Sequence, residues 1–393
     1  MSTPLQAGKV LIMSPQPFFQ WRGSPIRVGF NAMALAELGF QVDLLVMPVG
    51  EDRAIPGVTL HRVPNVLGVK NLSIGPSAAK AFLDIFLFFK ALRLHLKNRY
   101  DVIHGIEDAG PLAVWVAGFT GARMVFEKHS DPGSYKKGWL RNAVMWLYGQ
   151  AERYAIRHAD AVIGTGPGLV EQARKVAPGK PVYHIFDIPS SLVEADPIKT
   201  AEVRGQLLKA PGELLALYVG SFAVYQGIDL MFDSIPLVAQ QHPHARFIII
   251  GGTAQEIAER RAWLKGKGVE SRVDFIGKIP PDELPNYLSA ADILLSPRIA
   301  GTNTPLKLLD YLKAGRAIVA TDNTANRLIL DDTTAMLVAP TPDSFAAGIG
   351  RLIVDSCRRS SVAEKGLSLI HETFNYKEFK NRLYLCYNEI RNK

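Results

Sequence analysis

The chain has 393 residues, of which 48% are apolar, 21% charged and 9% aromatic. That composition excludes disorder, collagen and coiled coil as the main architecture and suggests two domains or slightly more, at roughly 150 residues each. Lys and Arg number 45 against 37 Asp and Glu, a net charge of +8, so an anionic partner is expected: nucleic acid, phospholipid or a phosphorylated small molecule.

The opening MSTPLQAGKVLIMSP lacks the long apolar core and small-residue cleavage pattern of a signal peptide. Lys9–Met13 reads as a strand, Pro25–Gly39 as a helix closed by Gly39, and Gln41–Val46 as the next strand. Ala78–Arg99 reads as a helix, apolar on most faces and basic at its C-terminal end. It suits a buried layer helix with its cations on the helix dipole, or alternatively a helix lying on a membrane surface. Asp84, Lys90 and Arg93 interrupt it, and no stretch reaches the ~18 apolar residues needed to span a bilayer. Strands Tyr100–His104, Arg123–Glu127 and Asp160–Gly164 then alternate with helices Pro111–Gly118 and Trp139–His158. Around Ile188–Thr200 the pattern lapses into proline and polar residues, a linker, and then starts again. Strands Leu214–Gly220, Ala245–Gly251, Arg272–Ile276, Asp292–Ser296 and Ala317–Ala320 alternate with helices Gly227–Gln240, Ala254–Lys265, Pro281–Ala290 and Pro305–Ala314. Such alternation predicts an α/β fold of two Rossmann-like doubly wound parallel sheets. Ligands of such sheets bind beyond the carboxyl ends of the strands, so two facing halves would form a cleft.

The cysteines, Cys357 and Cys386, leave no disulfide framework and no cysteine-based zinc or iron–sulfur site, and fit a reducing, cytoplasmic compartment. GTGPG at 164–168 follows a strand but is G-x-G-x-G with a proline inside, which argues for a plain strand-to-helix turn and against a dehydrogenase. Gly23 and Ser24 lie in the first βα loop, where a glycine lets a ligand approach the backbone and the next helix favours an anion. His129 follows a strand at its ligand end, and Glu107 and Asp108 follow another. In Ser296–Asp322 a polar loop leads to Pro305 and a helix. Loop amides and the helix N-terminus there would cradle an anion beside Arg298 and Lys307.

Taken in order, LYVGSF, YQGIDLMF, RFIIIGG, VDFIGKIPPDELPNYLSAADILLSPR and TPLKLLDYLKAGRAIVATD resemble the C-terminal domain of family 4 glycosyltransferases of the GT-B fold. The Arg22–Gly39 loop and helix, DVIH, FEKHS and AERYAIRHADAVIGT extend that resemblance over nearly the whole chain. It implies an acceptor-binding domain at 1–194, a nucleotide-sugar-binding domain at 195–373, and a last helix within 374–393 that returns to the first domain. It also implies retaining transfer from a nucleotide sugar, a co-substrate, with no metal and no cofactor. By resemblance Gly23-Ser24 stands at the family's glycine loop, His129 at the histidine that touches the donor sugar, and Lys278 where the nucleobase is received. Thr302 and Asp310 stand at the two acids of E-x7-E, and Asn303, Thr304, Pro305 and Leu306 at the segment whose amides meet the donor. Asp310 would accept hydrogen bonds from ribose hydroxyls, whereas Thr302 cannot supply the charge of the first acid.

A larger departure is that Ser221 and Gln226 stand where the family has an Arg and a Lys on the pyrophosphate. Losing both would cost several kcal/mol in stabilising the leaving group unless other groups replace them. Arg298, Lys307, Arg22 and the Thr302–Pro305 amides are the candidates. The resemblance thus implies an active retaining glycosyltransferase, with UDP- or GDP-sugars as leading donors, in bacterial glycan, polysaccharide or glycolipid assembly. The alternative is a catalytically silent nucleotide-sugar-binding or partner protein of the same fold. Glu107 and Asp108 are the expected acceptor pocket, for a saccharide or lipid-linked acceptor. Residues 1–195 hold 21 basic against 15 acidic residues, and Lys136, Lys137, Trp139, Arg141 and Trp146 form a basic-aromatic segment. No nucleic-acid module is present, so the charge points to a cytoplasmic protein that is peripheral on an anionic membrane face.

Overall fold

The computed structural model of the chain describes residues 8–20, 23–72, 77–119, 121–131, 139–301 and 304–392. Arg22, Lys136, Lys137, Thr302 and Asn303 lie outside the described residues, as do the side chains of Trp139 and Arg141. The chain divides into two compact units, Met1–Asp187 with Tyr376–Lys393, and Ile188–Asn375.

The first unit runs β1 (Lys9–Met13), α1 (Gly23–Glu37), β2 (Gln41–Val46), β3 (Val58–Arg62), α2 (Ala78–Asn98), β4 (Val102–Ile106), α3 (Ala109–Gly118), β5 (Arg123–Lys128), α4 (Trp139–His158), β6 (Ala161–Gly164), α5 (Pro167–Val176) and β7 (Val182–His184). Its strands form one parallel sheet in the order β3-β2-β1-β4-β5-β6-β7. Central strands such as KVLIM and VIHGI are buried almost throughout, as a parallel sheet covered on both faces requires. The order reverses between β1 and β4, so their carboxyl ends, Met13 and Ile106, flank the point where such sheets take ligands. Helix α2 begins at Ser77, whose hydroxyl accepts the Lys80 amide at 3.2 Å. It buries the stripe Leu83, Leu87, Ala91 and His95 and leaves Phe82, Ile85 and Phe89 exposed.

The second unit runs α6 (Pro197–Leu207), β8 (Leu214–Val219), α7 (Ile228–Gln241), β9 (Ala245–Ile250), α8 (Ala254–Gly266), β10 (Val273–Gly277), α9 (Leu284–Ala290), β11 (Ile293–Ser296), α10 (Leu306–Lys313), β12 (Ala317–Thr321), β13 (Met336–Val338), α11 (Pro342–Val354) and α12 (Ser356–Glu372). Its parallel sheet has the order β10-β9-β8-β11-β12-β13, and its reversal lies between β8 and β11. The buried Tyr311 ties those two strand ends together: its hydroxyl accepts from the Val219 amide at 3.0 Å and donates to the Leu295 carbonyl at 3.2 Å. Gly227 adopts φ 70°, and a Cβ there would stand 1.8 Å from the Pro297 carbonyl oxygen. Only glycine lets the turn after β8 lie against the strand end of β11.

Helix α13 (Tyr376–Arg391) follows the second unit in the chain and belongs to the first. It buries Phe379, Leu383, Cys386, Tyr387 and Ile390. Burial of a side chain the size of Phe379, Leu383 or Ile390 contributes ~1.5–3 kcal/mol.

The segment read as linker, Ile188–Thr200, has structure of its own. Asp196 caps α6 by accepting from Ile198 N at 2.8 Å and Lys199 N at 3.3 Å, and Pro197 opens the helix. Ser190 and Ser191 are bonded to α10, so the boundary expected between residues 194 and 195 falls inside the second unit. Strands β3, β7 and β13 and helices α11 and α12 are not anticipated by periodicity either. β3, VTLHR, is an edge strand of half-exposed residues, and β7 and β13 are three residues long.

Candidate functional site

In the first unit the polar side chains gather at the carboxyl end of β5, around Glu127. The strand RMVFEK is buried along most of its length, and Glu127 ends fully buried because α1, β4 and the following loop cover it. Arg27 Nε donates to Glu127 Oε1 at 2.6 Å, and Asn31 Nδ2 reaches both oxygens, at 3.1 and 2.9 Å. The rest of the Arg27 guanidinium donates to the carbonyls of Phe186 and Ile185 and to Asp187. His129 Nε2 lies 2.6 Å from Oε1 and His104 Nε2 3.1 Å from Oε2. Burial works against the Glu127 charge, but Arg27, with the two histidines, outweighs it and holds the carboxyl well below the usual carboxylate range.

His129 is also fixed through its backbone. Its amide donates to Glu107 Oε1, and the Ser130 hydroxyl donates to Glu107 Oε2 at 2.9 Å. Glu107 itself sits at φ 51°, an uncommon conformation for a residue with a side chain. Its neighbour Asp108 pairs with Lys80. Burial pushes the Asp108 carboxyl up, and it pushes nearby Asp84 up to about 7. The two residues expected to line an acceptor pocket are thus both engaged within the unit, one holding the His129 loop and one paired with a lysine. Gly23 and Ser24 open α1 half-buried, with their amides at a helix N-terminus.

In the second unit the site is built at the β8/β11 reversal. Lys307, in the first turn of α10, donates from Nζ to Gln226 Oε1 at 2.9 Å, and its ammonium lies 4.6 Å from the Tyr218 ring centroid. Arg298 donates from Nε to the Ala300 carbonyl at 2.8 Å and stands 5.6 Å from the Tyr225 ring centroid. Its own carbonyl accepts from the Thr321 hydroxyl and from Asn323 Nδ2. Burial lowers Arg298, and burial together with the Arg298 charge pushes Lys307 down to about 7. Two cations from the segment after β11 thus stand beside the turn that carries Gln226. Ser221 is exposed on that turn, and Lys278 is exposed after β10. Thr304 and Leu306 are half-buried and Pro305 is buried at the start of α10.

Asp310, one turn beyond Lys307, is engaged by a residue with no signal in the sequence. Its two oxygens accept from Ser190 N and Ser190 Oγ, each at 2.7 Å. Burial pushes its carboxyl up to about 6, against the pull of the Ser190 bonds. Sequence reasoning likewise misses Glu127, Arg27, Asn31, Tyr218, Tyr225 and Tyr387. A glutamate closing the apolar run MVF is the one local signal for Glu127.

Two families cover most of the chain: "Glycosyl transferase 4-like domain" matches residues 23–184 and "Glycosyl transferases group 1" matches residues 213–355. Among curated relatives, a phosphatidylinositol N-acetylglucosaminyltransferase subunit of Arabidopsis thaliana is 24% identical over 74% of this chain and 59% of its own length. Phosphatidyl-myo-inositol mannosyltransferase of Mycolicibacterium smegmatis is 28% identical over 35% of this chain and 36% of its own length. The chain therefore spans under two thirds of either relative. Among solved structures, sucrose-phosphate synthase from Thermosynechococcus elongatus superposes with a TM-score of 0.76 at 21% identity, over 99% of this chain and 100% of that one. HepE from Anabaena in complex with UDP and glucose superposes with a TM-score of 0.73 at 14% identity, over 97% and 100%. At these identities the superpositions establish the shared fold.

Proposed function

The chain belongs to the family 4 glycosyltransferases of the GT-B fold, and from that premise we propose that it moves a sugar from a nucleoside diphosphate sugar to an acceptor hydroxyl, retaining anomeric configuration and using no metal. The observation that carries this reading is the placement of Arg298 and Lys307 beside Gln226. The departing nucleoside diphosphate carries roughly two to three negative charges, and fixed cations at the leaving group are a leading catalytic term. With Ser221 and Gln226 at the family's cation positions, Arg298 and Lys307 supply positive charge from the other side of the same turn. The amides of Thr304 and Leu306 open a helix whose N-terminus favours the same anion.

The sugar–phosphate bond then breaks through an oxocarbenium-like transition state, by analogy with glycoside chemistry. The acceptor oxygen bonds to the anomeric carbon on the face the diphosphate leaves, and the leaving phosphate oxygen takes the acceptor's proton. His129 contacts the donor sugar, and Asp310 accepts from ribose hydroxyls when Ser190 yields its place. UDP-sugars as donors draw support from the neighbour solved with UDP, and GDP-sugars stay the other leading class. A saccharide or lipid-linked acceptor in glycan or glycolipid assembly draws support from the two phosphatidylinositol-directed relatives.

The first unit also presents a surface suited to an anionic bilayer. Phe82, Ile85 and Phe89 on α2, Trp115 on α3, and Trp146 and Leu147 on α4 are all exposed, Phe89 at 62% and Trp146 at 58%. Contacts link the three helices: Phe88 of α2 packs edge-on to Trp115 of α3 at 6.1 Å, and Trp115 Nε1 donates to the Tyr154 hydroxyl of α4 at 3.1 Å. Exposed Arg93 continues the α2 stripe one turn past Phe89. Aromatic and aliphatic side chains next to exposed arginine suit an interface carrying anionic lipid. Among the described residues no helix is long and apolar enough to cross a membrane.

Release of nucleoside diphosphate from UDP-glucose, UDP-N-acetylglucosamine and GDP-mannose tests the activity directly. Turnover of at least one of them, lost in Lys307→Ala, is the expected result. Binding of a nucleoside diphosphate with no turnover of any donor would favour the silent partner protein.

A further inference from the structure

Glu127 is a fully buried carboxylate whose charge is met from three directions. Arg27 and Asn31 approach from α1, His104 from β4, and His129 from the loop after β5. His104 Nδ1 in turn lies 2.8 Å from the Tyr387 hydroxyl of α13. A charge so deep is costly unless its surroundings satisfy it, and here they also dictate where protons reside. An ionised carboxylate only accepts, so His129 Nε2, 2.6 Å from Oε1, carries the ring proton. A neutral imidazole protonated on Nε2 leaves a bare lone pair on Nδ1. That Nδ1 is buried and has no partner among the described residues, and the His129 side chain is 7% exposed. The ring cannot turn to exchange its nitrogens without giving up the Glu127 bond, and Glu107 holds the His129 backbone amide and the hydroxyl of the next residue, Ser130.

We infer that Glu127 is the positioning residue of the transfer site: it holds the proton on His129 Nε2 and so makes Nδ1 a hydrogen-bond acceptor for a neutral hydroxyl of the sugar substrate, not a contact for the diphosphate. A bare lone pair attracts an O–H and repels a phosphate oxygen, so the substrate group is named by its chemistry. This rests on the glycosyl-transfer reading only for the identity of the hydroxyl. The proton placement stands on the geometry of the first unit alone.

The test begins with the unmodified full chain, labelled with nitrogen-15, with the His129 signals assigned by their loss in His129→Gln. At a pH above which the His129 signals no longer change, so that the ring is neutral, the expected spectrum has the proton on Nε2 and a bare Nδ1. A proton on Nδ1 overturns the inference. Glu127→Gln replaces an obligatory acceptor by a side chain whose amide also donates. The expected outcome is a shift of the His129 proton toward Nδ1 and a fall in kcat of about 10–100-fold, the range for removing an outer-shell partner, with donor KM within about threefold. An unchanged kcat, or a loss confined to KM, overturns the positioning role. If Glu127→Gln does not fold, the spectrum of the unmodified chain still decides the proton placement. If the proton sits on Nε2 but His129→Gln transfers sugar at the unmodified rate, the proton placement stands and the substrate-facing role is overturned.

Discussion

Asp310 and Ser190 form a closed pair: both carboxylate oxygens of Asp310 are taken, one by the Ser190 amide and one by its hydroxyl, each at 2.7 Å. The residue expected to receive ribose hydroxyls therefore already holds a local donor set of the same kind, a hydroxyl and an N–H. Burial raises this carboxyl to about 6 in the folded chain, above its unfolded value. The stability it contributes is therefore fully present below about pH 4 and lost as pH rises through about 6, on the order of 2–3 kcal/mol. Asp310→Asn, which cannot ionise, should melt at or above the unmodified chain at pH near 7.5, with the difference vanishing near pH 4. The same variant should bind nucleoside diphosphate about tenfold or more weakly, through loss of a charged acceptor. A lower melting temperature near neutral pH would refute the first part, and unchanged affinity the second.

Lys307 offers a test through proton uptake. Burial and the neighbouring Arg298 bring it down to about 7 in the free protein, so near neutral pH it is only partly charged. An anionic diphosphate favours the charged form, so binding should draw in a proton, and affinity should fall as pH rises above 7. Calorimetric titration of UDP in buffers of different ionisation enthalpy reads that uptake. In Lys307→Ala the uptake should vanish and affinity should drop by about 10–100-fold, as for hydrogen bonds to charged groups. Loss of affinity with uptake intact would move the titrating group elsewhere.

The outward face of α2, α3 and α4 gives a third measurement. Flotation with vesicles containing phosphatidylglycerol should carry the protein upward, and vesicles of phosphatidylcholine alone should carry much less. Phe89→Glu combined with Trp146→Glu should abolish flotation, and about 0.5 M salt should weaken it, because exposed charges are screened. Equal flotation with both vesicle types would leave apolar insertion without charge selectivity. Flotation with neither would leave a soluble acceptor as the better reading.

Helix α13 makes a prediction about stability. Leu383 is fully buried there, so Leu383→Ala should cost about 2–5 kcal/mol, read as a lower denaturant midpoint for the first unit. Because α13 also carries Tyr387, that loosening should broaden the His104 and His129 resonances together. A change below about 1 kcal/mol would mean that the helix contributes little to the unit.

Much of the fold is legible in the sequence because parallel strands covered on both faces must be apolar runs, and KVLIM, VIHGI, ARFIII and AIVAT are such runs. β3 escapes because an edge strand with His61 and Arg62 half-buried carries no such run. Helix α6 escapes because its start, Asp196-Pro197, sits in a stretch whose composition reads as linker, although Asp before Pro is itself a helix-start signal. The sites divide in the same way. Lys307 and Arg298 are visible as basic residues beside a helix N-terminus, a local pattern. The grip of Glu127 on His129 is not, because it depends on Arg27 and His104, which stand 100 and 23 positions before Glu127 along the chain. Ser190 is invisible for the same reason, standing 120 residues from Asp310.

The Tyr387–His104 hydrogen bond spans 283 residues, and that distance bears on how the chain is made. Along the chain most of the first unit comes before the second unit, and α13 comes after it. Domains generally fold as units while the chain emerges, yet here the unit begun first is completed last. Until residue 387 has been made, His104 lacks its phenol partner and α1 lacks the apolar helix that covers it. A nascent chain thus carries His104, and the Glu127 it faces, long before the helix that closes the framework around them has been made.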